Sequence, residues 1–152
     1  MKRGFEVVKD EFRFYPNCEI VLPTRGTKHS AGYDIYAPVT FEIPPHQEIK
    51  VMTDVKAYMQ EDEVLLLTVR SSIGIKKHLM LSNTIGVIDS DFYSNESNDG
   101  NICLALRNMS NEYVKIEKGE RVCQGIFVKY LTIDNEDENL KVRSGGIGST
   151  NK

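Results

Sequence analysis

Residues 83–93 read Asn-Thr-Ile-Gly-Val-Ile-Asp-Ser-Asp-Phe-Tyr, and the rest of the chain is organised around them. The β-forming pair Val87-Ile88 leads directly into Asp89, which predicts a strand that leaves an apolar interior and ends in a tight turn. Gly86 would let the backbone bend or a ligand come close. A carboxylate at the end of a rigid strand can hold a water near an electrophile. The simpler interpretation makes Asp89 an ordinary turn residue.

The composition limits the kinds of partner and compartment. A chain of 152 residues is long enough for one domain with a real core. Nineteen basic and 22 acidic residues give a net charge of -3, so we expect no nucleic-acid partner. The charged N-terminus and the lack of a long apolar run predict no membrane association. Three unpaired cysteines favour a reducing compartment, so we expect a soluble, cytoplasmic protein, or a nuclear or host-cell location if the source is viral.

Short strand-like runs, separated by Gly, Pro, Asn and Asp, predict an all-β sandwich or barrel. One turn of helix is predicted near Ser71–Lys77, and the continuous apolar run 64–69 predicts a strand buried on both faces. The polar segment 94–100 predicts a flexible loop. The predicted strands cover residues 19–22, 33–36, 40–43, 48–55, 64–70, 78–83, 101–107, 113–116 and 121–133.

The composition changes after residue 133, first to an acidic stretch and then to a glycine-rich end. A charged spacer followed by glycines is typical of a segment that leaves the core. We therefore expect one β domain, residues 1–133, followed by a tail, residues 134–152.

Three polar clusters outside residues 83–93 could bind a ligand. Arg70 with the two serines that follow it could hold phosphate oxygens, although a solvated strand end is the simpler interpretation. Gln124 lies on an apolar strand, on the face of Val122 by alternation, and needs a polar partner such as a ligand oxygen. The glycines after Arg143 could cradle phosphate with their N–H groups, or could belong to a disordered tail.

Asp34 lies in the middle of a strand-like run. A carboxylate in such a position has to be paired, and arginine or backbone N–H groups are the expected partners.

Taken in chain order, five of these segments resemble the five motifs of the trimeric dUTPase family. They read AGYDIYAP at 31–38, RSSIG at 70–74, NTIGVIDSDF at 83–92, GERVCQ at 119–124 and RSGGIGST at 143–150. The resemblance implies a dUTPase-like β-barrel or jelly roll and a homotrimer with three active sites at the subunit interfaces. It also implies Mg²⁺-assisted hydrolysis of dUTP to dUMP and pyrophosphate, with the metal bound through substrate phosphates and by no protein ligand.

The resemblance also implies a role for each motif. Asp89 would activate the water that attacks the α-phosphorus. Three sets of residues would bind dUTP: one set would bind the uracil, one would bind the phosphates, and one would lie in a tail that arrives from another subunit. The uracil-binding set is Asn83, Gly86, Val87, Ile88 and Cys103; the phosphate-binding set is Arg70, Ser71, Ser72 and Gln124; the tail set is Arg143, Ile147, Gly148, Ser149 and Thr150.

The chain departs from the family pattern at three places. Ile147 stands where the family has a Phe or His that stacks on uracil. Either Phe92, which is in register, or Tyr93 could pack beneath the deoxyribose, and about five extra residues follow them before Gly100. Asn151 stands where Gly is common.

Two alternative functions stay open at this point. A relative of the dCTP deaminases would need a glutamate after the third motif, and Glu96 is the candidate. A dUTP-gated regulatory binding protein would use the segment 94–100 to contact its partner.

Overall fold

The computed structural model describes residues 1–148 and Thr150, and these residues confirm the all-β prediction. One short helix, α1 (Ser71–Lys77), lies where a helical turn was predicted. The strands of the described residues are β1 (Gly4–Val7), β2 (Thr24–Arg25), β3 (Tyr33–Tyr36), β4 (Phe41–Ile43), β5 (Glu48–Met52), β6 (Val55–Tyr58), β7 (Glu63–Val69), β8 (Leu79–Leu81), β9 (Gly86–Asp89), β10 (Cys103–Asn108), β11 (Val114–Ile116) and β12 (Arg121–Lys129).

The strands form four sheets in the described part of the chain, and all their pairings are antiparallel. The largest sheet has the order β2-β3-β12-β7-β9, a second has the order β5-β10-β8, and β1-β6 and β11-β4 form two ribbons. One apolar cluster joins these sheets because alternate residues of each strand point into it. Its most buried members include Ile35, Ile43, Leu65, Ile102, Leu104, Leu106, Ile116 and Val122.

β7 has only one fully buried face in the single chain. Leu65 and Leu67 belong to the core, whereas Leu66 and Thr68, which point the other way, are half-buried. The prediction of a strand covered on both faces therefore holds for one face only within a single chain.

The prediction of a strand at residues 19–22 is wrong. Residues 19–22 belong to no strand. Further upstream, the N–H groups of Phe14 and Tyr15 donate to the carboxylate of buried Asp54 at 2.9 Å and 2.8 Å. Asp54, with φ of 58°, also divides the predicted strand 48–55 into β5 and β6. β1, which pairs with β6, was not predicted.

Residues 94–100 form a hydrogen-bonded turn system and not the predicted flexible loop. The side-chain amide of Asn95 donates to the carbonyl of Phe92 at 2.8 Å, and the Ser94 N–H donates to the carbonyl of Asp99 at 3.2 Å. Asp99 is buried and forms an ion pair with Lys56 at 2.9 Å. This segment is therefore anchored to the core.

No helix in residues 1–148 or at Thr150 has the length and apolar character needed to cross a membrane.

Candidate active site

A cavity of about 320 Å³ lies beside β9, under the C-terminal tail of the same chain. Most residues of the predicted uracil-binding and tail sets border this cavity, which we call the β9 cavity. These residues are Asn83, Gly86, Val87, Ile88, Cys103, Arg143, Ile147, Gly148 and Thr150; Asp89 and Phe92 border the cavity too. Ser149 lies outside the described residues.

The wall of the β9 cavity depends on Gly86. In the register of β7 and β9, Gly86 pairs with Leu67. A Cβ added at Gly86 would lie 3.0 Å from the Cβ of Leu67, so a larger residue would push β9 away from β7. Close strand packing is thus one reason for this glycine, in addition to the backbone bend and the ligand approach that the sequence suggested.

Asp89 is the last residue of β9, and its side chain is 49% exposed at the edge of the cavity. Of the two aromatic rings that follow it, only Phe92 borders the cavity, where it is buried. Tyr93 points elsewhere: its hydroxyl donates to Glu6 at 2.8 Å, and this hydrogen bond raises the pKa of Tyr93. The position of Tyr93 does not support its predicted contact with the substrate.

Arg143 connects the tail to the end of β9. Its Nη2 donates to Oδ2 of Asp89 at 2.7 Å, and its Nε donates to Oδ1 of Asp91 at 3.1 Å. The guanidinium carbon lies 5.7 Å from the ring centre of Phe92. In the single chain, the tail therefore folds back onto the cavity of its own chain.

A second cavity, also about 320 Å³, is lined by the residues predicted to bind the phosphates. Its lining includes Arg70, Ser71, Ser72 and Gln124. Asp34 borders it too: its Oδ1 lies 3.0 Å from Nε of Arg70 in an ion pair, and its Oδ2 accepts a hydrogen bond from Nη1 of Arg121 at 3.4 Å. The prediction that Asp34 is paired with arginine is confirmed.

A bulge between Arg121 and Cys123 changes the predicted faces of β12. Val122 and Cys123 are both buried in the core, whereas Gln124 borders the second cavity. The expectation that Val122 and Gln124 share a face is wrong, because a bulge breaks the two-residue alternation. Gln124 lies directly over Gly32, which leaves no room for a side chain at Gly32.

Asp89 and Arg70 lie at opposite ends of β7. Asp89 pairs with Val64 near the start of the strand, and Arg70 follows its last residue. Arg70 lies six positions after Val64, which corresponds to about 20 Å along an extended strand. One chain therefore does not bring Asp89 and Arg70 together on a single small molecule.

Sequence reasoning missed several residues of the β9 cavity, namely Lys50, Leu67, Leu81, Ser82 and Ala105. Lys50 reaches the cavity because β5 pairs with β10, where Lys50 lies opposite Ala105. Such long-range pairing leaves no local signal in the sequence. Cys103 lies on the same strand, and burial raises the pKa of its thiol.

Comparisons with known proteins agree on one family. The family model for dUTPase matches residues 18–151. The deoxyuridine 5'-triphosphate nucleotidohydrolase of Lactococcus lactis subsp. lactis (strain IL1403) is 48% identical over 149 residues, which are 97% of each chain. The crystal structure of dUTPase from Streptococcus mutans is similar with a TM-score of 0.76 and 44% identity, covering 87% of this chain and 99% of that chain.

A more distant structural relative shares the fold. It is a mutant dUTPase from phage phi11 of S. aureus, described for the coordination of a structural Mg(II) ion. It has a TM-score of 0.69 and 21% identity, covering 92% of this chain and 98% of that chain.

Proposed function

Because this chain belongs to the dUTPase family and hydrolyses dUTP to dUMP, we propose that Asp89 holds and activates the water that attacks the α-phosphorus. The observation that carries the proposal is the half-exposed carboxylate of Asp89, fixed at the end of β9 beside the cavity. The new bond joins the water oxygen to the α-phosphorus, and the bond to the bridging oxygen breaks. Pyrophosphate leaves, and the proton of the water passes to Asp89.

The β9 cavity would hold the uracil and the sugar. Its apolar lining and the backbone of β9 support a pocket in which Asn83 and the peptide groups of residues 86–88 pair with the uracil edge. The pocket shape would exclude the methyl group of thymine, and cytosine would leave polar groups unpaired, which is costly. Phe92 would pack beneath the deoxyribose and exclude a 2′-hydroxyl.

The second cavity would hold the phosphates. Arg70 offers a planar set of N–H donors, while Ser71, Ser72 and Gln124 add hydroxyl and amide groups. Because this cavity is about 20 Å from Asp89 along β7, each site has to combine the β9 cavity of one chain with the second cavity of another. We therefore propose a homotrimer, in which such an asymmetric contact closes into a ring.

The outer face of the largest sheet supports assembly. Leu66, Ile126 and Val128 are only half-buried there, and Val87 is 57% exposed. Contiguous apolar surface of this kind marks an interaction site. A neighbouring subunit that covered it would also give β7 its predicted second buried face.

We also propose that residues 1–133 act as the β domain and residues 134–152 as a lid exchanged between subunits. Around the acidic spacer, Leu131 is 97% exposed, Ile133 72% and Val142 83%. A spacer running along a neighbour would cover these side chains. The lid would bring its predicted binding residues onto the substrate: Arg143, Ile147, Gly148, Ser149 and Thr150.

The residues of the two cavities fit a metal that is bound through the substrate. Among the residues described, no three His, Cys, Asp or Glu side chains are grouped to hold a metal ion. Mg²⁺ is commonly bound through substrate phosphates and water, where it offsets the negative charge of the phosphates. We propose this mode for Mg²⁺ here, and we propose a cytoplasmic location, where free deoxynucleotides are used.

The position of Glu96 speaks against deamination of dCTP. Glu96 is exposed and does not border the β9 cavity. A glutamate that takes part in deamination has to lie within hydrogen-bond reach of the base.

Steady-state release of pyrophosphate tests the proposed role of Asp89. We expect Asp89→Asn to keep the fold and to lower kcat on dUTP by about two to four orders of magnitude, as is usual for a positioned base. Asp62→Asn, which removes an exposed carboxylate paired with Lys129, is the matched control and should behave as wild type. dCTP, dTTP and UTP should be poor substrates of the wild type. Near-normal turnover of Asp89→Asn would show that another group activates the water.

A further inference from the structure

We propose that Asp91 is a positioning residue that holds Arg143 of the tail beside the reacting phosphates; this rests on the proposed function of the tail as a lid, and on exchange of the tail the same contacts would join Asp91 of one subunit to Arg143 of another. Asp91 makes two contacts with Arg143. Its Oδ2 accepts from the backbone N–H at 3.0 Å, and its Oδ1 accepts from Nε at 3.1 Å. One carboxylate therefore fixes both the backbone and the side chain of the same residue.

The contacts of Arg143 divide its donors into two sets. Asp91 binds the backbone N–H and Nε, whereas Nη2 donates to Asp89 at 2.7 Å and Nη1 donates to the carbonyl of Gly146 at 3.3 Å. When a phosphate chain enters, the two terminal nitrogens can turn towards its oxygens while Asp91 keeps the rest of the side chain in place. An arginine held in this way loses less conformational freedom on binding.

Asp91 is itself held in place without the help of the tail. It lies in the 3-10 turn Ser90–Phe92, whose last carbonyl accepts from the Asn95 amide at 2.8 Å. The following turn is anchored by the buried ion pair between Asp99 and Lys56. The backbone that carries Asp91 is therefore fixed by contacts that do not involve the tail.

The tail makes a second contact with the same element at Gly146. A Cβ added at Gly146 would lie 2.8 Å from Oγ of Ser97 and 3.2 Å from Nδ2 of Asn98. The backbone of the tail thus lies directly against residues 94–100. Asp91, Ser97 and Asn98 therefore all contact the tail.

A simple surface ion pair is the competing explanation for the contact between Asp91 and Arg143. Asp91 is 37% exposed, and pairs at such positions contribute little to stability. The two explanations differ in what they predict for activity. A positioning residue acts only through Arg143, so its removal should have no effect once Arg143 is gone.

A double-mutant cycle on dUTP hydrolysis distinguishes a positioning role of Asp91 from a simple surface ion pair. The variants are Asp91→Ala, Arg143→Ala and the double variant, with Asp62→Ala as the matched control for loss of an exposed carboxylate. We expect Asp91→Ala to lower kcat/KM by about ten- to a hundredfold, the scale of a charge-assisted contact made to an arginine. In the Arg143→Ala background the same change should have less than about a twofold effect.

Tryptic cleavage after Arg143 provides a second readout that does not depend on turnover. We expect faster cleavage in Asp91→Ala than in wild type or Asp62→Ala. Asp91→Asn, which keeps an acceptor oxygen without the charge, should lie between wild type and Asp91→Ala in both measurements, and it replaces Asp91→Ala if that variant fails to fold. Equal losses of kcat/KM with and without Arg143, or unchanged cleavage, would overturn the proposal. Because wild type is assayed in parallel, a wild type inactive on dUTP would instead overturn the function.

Discussion

Ile147 borders the β9 cavity with a side chain that is 74% exposed. An aliphatic side chain can cover a base by apolar contact, but it offers no ring to stack on it. Stacking of a base on an aromatic side chain contributes about 1–3 kcal/mol, and full burial of an isoleucine contributes about 1.5–3 kcal/mol. Because Ile147 is largely exposed here, its contribution should fall below the upper part of that range.

We therefore expect Ile147→Phe to leave kcat/KM on dUTP unchanged or to raise it by up to about tenfold, which corresponds to about 1.4 kcal/mol. Ile147→Ala is the matched control for loss of apolar surface and should lower kcat/KM. Steady-state kinetics of the three proteins make the comparison. A severe loss in Ile147→Phe would mean that the pocket is shaped around the aliphatic side chain.

Single residues were predictable from the sequence when local chemistry decided their surroundings. Asp34 was expected to be paired with arginine or backbone N–H groups because it lay within a strand, and it is paired with Arg70. Asp91, by contrast, looked like an ordinary turn residue. Its contact with Arg143 joins residues 52 positions apart, and no local pattern reports such a contact.

At the scale of single elements, residues 94–100 depend on one buried ion pair. Burial alone raises the pKa of the Asp99 carboxyl, but hydrogen bonds from the N–H of Lys9 and the ammonium of Lys56 outweigh it. The net pKa is lowered from the ordinary value of 3.8. The charged carboxylate therefore stabilises the folded protein at pH values above 3.8.

We expect Asp99→Asn to lower the free energy of unfolding at pH 7 by about 3 kcal/mol, because it leaves Lys56 buried without its main partner. As the pH falls below 3.8 and through the lower pKa of the folded state, the difference from wild type should shrink. Urea denaturation at several pH values measures this difference in the free energy of unfolding, and Asp62→Asn serves as an exposed control. A difference that stays constant down to low pH would contradict this account.

Elements with a strong local pattern were predicted well, and elements defined by tertiary contacts were not. β7 and β9 follow from their apolar residues and from Gly86, the first residue of β9. β1 forms only because β6 offers an edge to pair with. Segment 94–100 is polar in sequence, yet Asp99 and Asn95 anchor it, and its composition alone cannot report those contacts.

At the scale of the whole molecule, the arrangement of β7 decides how a complete site is built. Asp89 and Arg70 lie at opposite ends of this strand, about 20 Å apart by strand geometry. The five motifs indicated which residues belong to one site, and the resemblance implied sites at subunit interfaces, but the motifs could not show that Asp89 and Arg70 lie at opposite ends of one strand. That separation depends on strand register, which is set by pairing across the whole sheet.

Complementation between two inactive variants tests this separation most directly. Asp89→Asn and Arg70→Ala chains, each carrying a different affinity tag, are co-expressed, and mixed trimers are isolated by two successive affinity steps. If Asp89 and Arg70 of one site come from different chains, every mixed trimer contains one intact site in three and should recover about a third of wild-type turnover on dUTP. Mixed trimers as inactive as the two parent variants would show that each chain supplies both residues to its own site, and would contradict the account.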